Sequence, residues 1–377
     1  MSGIYLDYNA SAPVRPQAVE AVAAALAAGG NPSSVHAVGR AARARVEQAR
    51  TEVAALVGGP ASTVVFTSGG TEANALAIES AVATGSKRLI VGATEHDSVL
   101  EAAKATGLPV ELLPVDAQGV SDLDWLRERL ARWEPGDGRP FVALMLANNE
   151  TGVVQPVRGA SEIVQEADGW LHVDAIQAAG KILVDSRLLG ADTLTASAHK
   201  LGGPQGVGAL TFGPRATLVR RLHGGGQERG RRAGTENVPG IAGFAAAARA
   251  ALSDRNDNAA WRDAAAERLK AEGAIVLGDG APRLPNTLCV AAPDHPAELQ
   301  VMALDLAGVM VSAGSACSSG KVKASHVLSA MGHADLAGCA IRVSGGWATT
   351  ESDWAAFADA WIEMRTRHAA RRRAPAA

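Results

Sequence analysis

A mostly parallel β-sheet covered by helices on both faces, followed by a smaller α+β domain, is the α/β fold that this sequence predicts. Two observations carry that prediction. Between Thr63 and Phe212, short apolar runs of strand type alternate with segments of helix type, the pattern of parallel strands joined by crossover helices. Residues 253–258 (Ser-Asp-Arg-Asn-Asp-Asn) then turn abruptly polar, which marks a domain boundary. With 377 residues the chain is also too long for one ordinary core, so two domains are expected.

The elements follow in order. Residues 7–13 are irregular and polar, with Pro13 suited to a first helical turn. Residues 15–28 form an Ala-rich helix stopped by Gly29-Gly30, and residues 31–34 a turn. Residues 36–57 are a long helix with Val38, Ala42, Val46, Ala49, Val53 and Leu56 on one face, closed by Gly58. Its arginines (Arg40, Arg43, Arg45 and Arg50) fall mostly off that face, which assigns them to solvent. The alternation then reads strand 64–67, helix 72–83, strand 88–92, helix 98–105, strand 110–114, helix 123–133, strand 141–146, helix 160–167 and strand 170–173. Strands at 193–196 and 207–212 complete the set. Beyond the boundary come a helix at 260–270, apolar segments near Ile275 and Leu288, a helix at 298–306 and a strand at 309–312. A Gly/Ser-rich loop, a strand at 340–343 and a final helix from Ser352 end the fold. The arginine tail at 371–373 is expected to be disordered and solvated.

Bulk properties exclude several classes. Hydrophobic content of 47% and charged content of 20% describe a soluble globular protein. A net charge of −3 points to neither a nucleic-acid binder nor a membrane-surface protein. No apolar run approaches the roughly 20 residues that a bilayer-spanning helix needs, and the N-terminal residues lack a secretory pattern. Three cysteines without close pairs argue against a disulfide framework and against a zinc site, so no metal is expected and the compartment is cytoplasmic.

The chemistry gathers at strand ends. Asp174, in Val173-Asp174-Ala175-Ile176-Gln177, and Lys200, in Ser197-Ala198-His199-Lys200, each follow a strand-type run, where open α/β sheets collect ligands. An acid at one such end and a lysine at another suit pyridoxal phosphate. Lysine forms an imine with its aldehyde, and aspartate keeps its ring nitrogen protonated. Taken singly, Asp174 is an ordinary turn residue and Lys200 a solvated one. Ser68-Gly69-Gly70-Thr71 leads from a strand into a helix N-terminus, a natural phosphate seat, to which Ser197 and His199 can contribute. The stretch matches neither a Walker loop nor a dinucleotide fingerprint. His96 stacks on a flat cofactor, moves protons, or is a hydrogen-bonded surface histidine. Asn148-Asn149 end another apolar strand, and Arg342 offers a fork for a substrate carboxylate. Cys317 lies in the small-residue run Ser312-Ala313-Gly314-Ser315-Ala316-Cys317-Ser318-Ser319-Gly320, which suits a reactive thiol. Cys289 and Cys339 have apolar neighbours and belong to the core.

Seven segments carry a family resemblance: FTSGGTEAN (66–74), TEHDSVL (94–100), NNETG (148–152), HVDAIQAAG (172–180), SAHK (197–200), GGGQERGRRAGTEN (224–237) and SAGSACSSG (312–320). Their order and spacing resemble the pyridoxal-phosphate-dependent cysteine desulfurases of the nitrogen-fixation and iron–sulfur-cluster type, within the class V aminotransferases. The resemblance runs from about Tyr5 to the last helix. It implies a fold-type-I homodimer with a large cofactor domain (14–253). The smaller domain would be built from both chain ends (1–13 with 254–377) and carry a mobile cysteine loop (312–323). By position, Lys200 would bind the cofactor aldehyde, Asp174 its ring nitrogen and Gln177 its phenolic oxygen, with His96 on the ring. Gly70, Thr71, Ser197 and His199 would hold the phosphate, with Thr235 coming from the neighbouring subunit. Asn149 and Arg342 would bind cofactor and substrate carboxylate, and Cys317 would receive sulfur from L-cysteine.

Three positions depart from the family pattern: Ala313 in Ser-Ala-Gly, Gln205 where lysine is common, and Trp347 where Gly-Arg is usual after Gly345. The implied function is conversion of L-cysteine to L-alanine, with sulfur passing through a Cys317 persulfide to an acceptor such as an iron–sulfur scaffold or a thiolation carrier. The alternatives are a selenocysteine lyase, a transaminase, or a non-catalytic dimeric docking protein.

Overall fold

The first helix begins at Pro16, one residue past the expected start at Arg15, because a proline at the first helical position forfeits only an N–H that has no partner there. In this computed structural model, which describes residues 3–254, 258–314 and 324–373, the helix runs Pro16–Ala28 and packs beside Ala37–Val57. Gly58 ends the second helix in the left-handed conformation, with φ 64°. Val38, expected on the buried face, is instead exposed, in the first turn of that helix. Arg50, expected in solvent, is buried: its guanidinium pairs with Glu228 at 2.6 Å.

The seven-stranded sheet has the order Val64–Thr67, Gly208–Phe212, Thr193–Ser197, Trp170–Asp174, Phe141–Met145, Leu89–Gly92, Val110–Leu113. Only Gly208–Phe212 runs against its neighbours. The helices Gly70–Ala83, Asp97–Ala105, Leu123–Ala131 and Val157–Glu166 connect its strands. One helix escaped the sequence reading. Val238–Ser253 is rich in alanine and glycine, so it has no polar face to betray its period. It is buried on most sides against the first two helices.

A four-stranded antiparallel sheet follows, ordered Ser312–Ala313, Ala340–Ser344, Thr287–Ala291, Ile275–Val276. The single strand expected at 309–312 is split. Val309–Met310 pairs with Ile4–Tyr5, and Ser312–Ala313 joins the four-stranded sheet. The helix Glu351–Arg373 lays Trp354, Phe357 and Trp361 against that sheet, each with under 2% of its surface exposed. Each such burial contributes roughly 1.5–3 kcal/mol. The helix backbone includes residues 371–373, which the sequence reading had left in a disordered tail. A short helix, His326–Ala330, was also not anticipated. Among the described residues, no helix is long and apolar enough to cross a membrane.

Candidate active site

Strand ends, the N-terminal segment and the smaller sheet meet around a cavity of about 350 Å3. Its wall includes Gly70, Thr71, His96, Asn149, Asp174, Gln177, Ser197, His199, Lys200 and Arg342. Ten of the sequence-predicted residues are thus brought together. Thr235 is exposed and is not part of this wall. Cys317 lies outside the described residues, but Gly314 and His326, which flank the segment 315–323, both line the cavity.

Asp174 ends its strand, and its carboxylate accepts from the Ile176 N–H (2.9 Å) and from Asn74 Nδ2 (2.8 Å). Burial pushes the carboxyl up, while these two donors, then His96 and Lys200, pull it back. Asn74 is itself held: its Oδ1 lies 3.0 Å from His172 Nε2, and His172 Nδ1 lies 3.0 Å from Thr193 Oγ1. Burial depresses the His172 imidazole to about 3, so it stays neutral. This chain of polar groups runs inside the sheet and leaves the Asp174 carboxyl one orientation.

Lys200 donates from Nζ to the backbone carbonyls of Asn9 (2.6 Å) and Ala10 (2.8 Å). Burial first, and Arg342 next, lower its amine to about 8, against the opposing pull of Asp7 and Asp174. His199 is depressed to about 4, by burial and then by Lys200. His96 caps the helix Asp97–Ala105: its Nδ1 accepts from the Ser98 N–H at 3.0 Å, which leaves Nε2 to carry the proton of the neutral ring. The hydrogen-bonded histidine and the cavity histidine are therefore the same residue.

The stretch expected to seat a phosphate leads, as anticipated, into a helix N-terminus. Gly70 opens a 14-residue helix, and a Cβ there would lie 2.2 Å from Ile176 Cδ1, so a larger residue would require the end of that side chain to move aside. Arg342 is engaged on one edge: Nη2 donates to Asp7 Oδ1 (2.8 Å) and Nη1 to the Asn149 carbonyl (3.3 Å). Its buried Nε has no partner among the described residues.

Three residues of the site were missed from the sequence. Asn9 lies in the stretch dismissed as irregular, yet its carbonyl accepts from both Lys200 and Gln177. Glu95 is buried beneath the cavity, where burial and then Asp174 drive its carboxyl far up. One oxygen accepts from the Met145 N–H, and the other has no partner among the described residues. Glu150 lines the cavity and accepts from Ser325 Oγ at 2.6 Å, with its carboxyl raised by burial. Only the TEH and NNETG strings hinted at the two glutamates.

These residues fit the cofactor that the resemblance implies. The hydrogen-bond partners of the buried Asp174 carboxylate among the described residues are neutral, so a protonated ring nitrogen would complete it. A helix N-terminus with Thr71, Ser197 and His199 nearby suits a phosphate, and the Lys200 amine suits an aldehyde.

The aminotransferase class-V family model matches residues 4–357. A cysteine desulfurase of Cereibacter sphaeroides is 43% identical over 342 residues, covering 88% of this chain and 87% of that protein. The cysteine desulfurase IscS of Dictyoglomus turgidum is 38% identical, covering 93% of this chain and 91% of its own length. Among solved structures, a NifS-like protein from Rickettsia africae superimposes with a TM-score of 0.89 at 31% identity, covering 97% of this chain and 99% of that one. The structure of SspA in complex with cysteine gives a TM-score of 0.79 at 28% identity, covering 92% and 99%.

Proposed function

We propose, for a chain that belongs to the aminotransferase class-V family and stands among its cysteine desulfurases, that it converts L-cysteine to L-alanine and takes the sulfur onto Cys317. The family is pyridoxal-phosphate-dependent in general. The observation that carries the reading is the cavity in which Lys200, Asp174 and His96 converge while both flanks of the cysteine segment, Gly314 and His326, line its wall.

When bound, pyridoxal phosphate supplies a conjugated electron sink next to the substrate Cα. Asp174 would pair with its ring nitrogen, Gln177 would donate to its phenolic oxygen and His96 would pack against the ring. Gly70, Thr71, Ser197 and His199 would hold the phosphate. Thr235 joins them from a second copy of the chain, in keeping with its exposure and its absence from its own cavity; the protein is a homodimer in this reading. Arg342 and Asn149 orient the substrate carboxylate.

Lys200 Nζ takes the Cα proton, and the Asn9 and Ala10 carbonyls beside it accept from the resulting ammonium. The Cys317 thiolate then attacks the substrate sulfur. A sulfur–sulfur bond forms, the electron pair of the broken carbon–sulfur bond stays on the substrate Cβ, which takes up a proton, and Lys200 returns its proton to Cα to give alanine. No external oxidant or reductant is needed. Cys317 is three residues from Gly314, a tether of about 10 Å at full extension, so its thiol can reach the cavity. An acceptor such as an iron–sulfur scaffold or a thiolation carrier then takes the persulfide sulfur.

The test is to reduce the purified protein with borohydride and map the cofactor, then to assay alanine from L-cysteine. Label on Lys200 with alanine production is expected. Label on Lys181, on Lys321 or on no lysine would overturn the assignment.

A further inference from the structure

The turn after Asp174 carries a second lysine that the chemistry above leaves without a task. Backbone bonds from Ala178 and Ala179 to the Ala175 carbonyl, and from Ile182 to the Ala178 carbonyl, wind this segment like helix. Gln177 and Lys181, four residues apart, therefore meet on one side of it. Lys181 is half-buried, and its amine donates to Gln177 Oε1 at 2.8 Å and to Asn9 Oδ1 at 2.7 Å. We propose that Lys181 is a positioning residue, which turns the Gln177 amide so that its NH2 is the end offered to the cavity.

The two ends of an amide have nearly the same size, so only partners decide which way it faces. Gln177 is constrained on both. Its oxygen takes the Lys181 amine, and its nitrogen donates to the Asn9 carbonyl at 2.9 Å. A flipped amide would set two oxygens against each other at Asn9. One N–H of the Gln177 NH2 is spent on Asn9, and the second remains for an acceptor in the cavity that Gln177 lines.

Asn9 is fixed by the same logic. Its Oδ1 accepts from Lys181 and from Asn286 (3.3 Å), while its Nδ2 donates to Thr287 Oγ1 (2.9 Å) and to the Asn149 carbonyl (3.2 Å). The carbonyl that Asn9 thereby holds in place is also the one that receives Lys200 Nζ. Burial, and then Lys200 and Arg342, hold the Lys181 amine well below its usual range. That does not weaken the argument, because an uncharged amine still has two N–H donors for its two acceptors.

The inference rests on the proposed occupant of the cavity, and its test separates the two. Stripped protein is titrated with pyridoxal phosphate in four forms: wild type, Lys181→Met, Gln177→Met and the double variant. Lys181→Met should weaken cofactor binding on the order of tenfold, the scale of one lost hydrogen bond to a charged or strongly polar group. The double variant should be no weaker than the worse single one, since Lys181 acts through Gln177. The absorption band of cofactor bound to Lys181→Met should match that of Gln177→Met rather than wild type. A Lys181→Met protein that binds like wild type, or losses that simply add in the double variant, would overturn the inference. Should Lys181→Met not fold, Lys181→Gln, which keeps an N–H donor, enters the same cycle, and full additivity there would overturn it equally. Wild-type protein that takes up no pyridoxal phosphate would instead overturn the proposed function.

Discussion

In the proposed reaction Asp174 and Lys200 carry the chemistry, and each is tuned by what surrounds it. Burial penalises the lone Asp174 charge, so the residue gains most when a cationic partner arrives. Asp174→Ala should keep the fold yet lower turnover on the order of a hundredfold or more, the scale for losing one preorganised electrostatic group. Steady-state kinetics within a few-fold of wild type would mean that another group protonates the ring. For Lys200 the amine is depressed to about 8, so it is mostly charged and unreactive below that pH and free above it. Capture of pyridoxal phosphate by stripped protein, trapped with borohydride, should rise about tenfold per pH unit below 8 and level off above it. A rate still climbing at pH 10 would show an ordinary lysine. Both residues were legible in the sequence because each ends an apolar strand. Asn9, Glu95 and the Lys181 contact were not, because their partners lie on other elements, as far away as Asn286 and Thr287.

At the scale of elements, helices emerged from the sequence where one face is apolar and the other polar, and strands as short continuous apolar runs. The segments at 64–67, 141–146 and 170–173 were found to within a residue as such runs, and each is buried along its whole length. Val238–Ser253 was invisible because alanine and glycine give no contrast between faces. Arg50 was misassigned for a different reason: its partner, Glu228, is 178 residues away. That pair joins the second helix to the glycine-rich segment. Arg50 donates to both Glu228 oxygens (2.6 and 3.1 Å), and Glu228 also accepts from the Phe66 N–H (3.0 Å). The tether holds Glu228 and Arg229 in the left-handed region, with φ 47° and 58°. Glu228→Ala would leave the buried Arg50 guanidinium only the half-buried Glu47, 3.3 Å from its Nε, as counter-charge, at a cost of about 3 kcal/mol. Urea unfolding measures this, and a change under about 1 kcal/mol would mean that water or another acid replaces the carboxylate.

Over the whole molecule, the site exists because two separately cored sheets are stitched together by the N-terminal segment. Ile4–Tyr5 pairs with Val309–Met310, Asp7 bridges Ser344 and holds Arg342, and Asn9 reaches the cavity floor beside Lys200. The larger sheet thus supplies Asp174 and Lys200, the smaller one Arg342 and Gly314, and neither wall closes the cavity alone. Cys289 and Cys339 are buried in the smaller core, where desolvation raises both thiols, the first beyond the reach of ordinary pH. The proposed function assigns sulfur capture to Cys317, and one measurement tests that assignment most directly. Wild-type protein is exposed to L-cysteine, its thiols are alkylated, and the peptides are weighed alongside those of Cys317→Ala. The account predicts an extra sulfur on Cys317 alone in wild type. In Cys317→Ala it predicts retained cofactor and almost no alanine. Extra sulfur on Cys289 or Cys339, or alanine from Cys317→Ala at the wild-type rate, would contradict it.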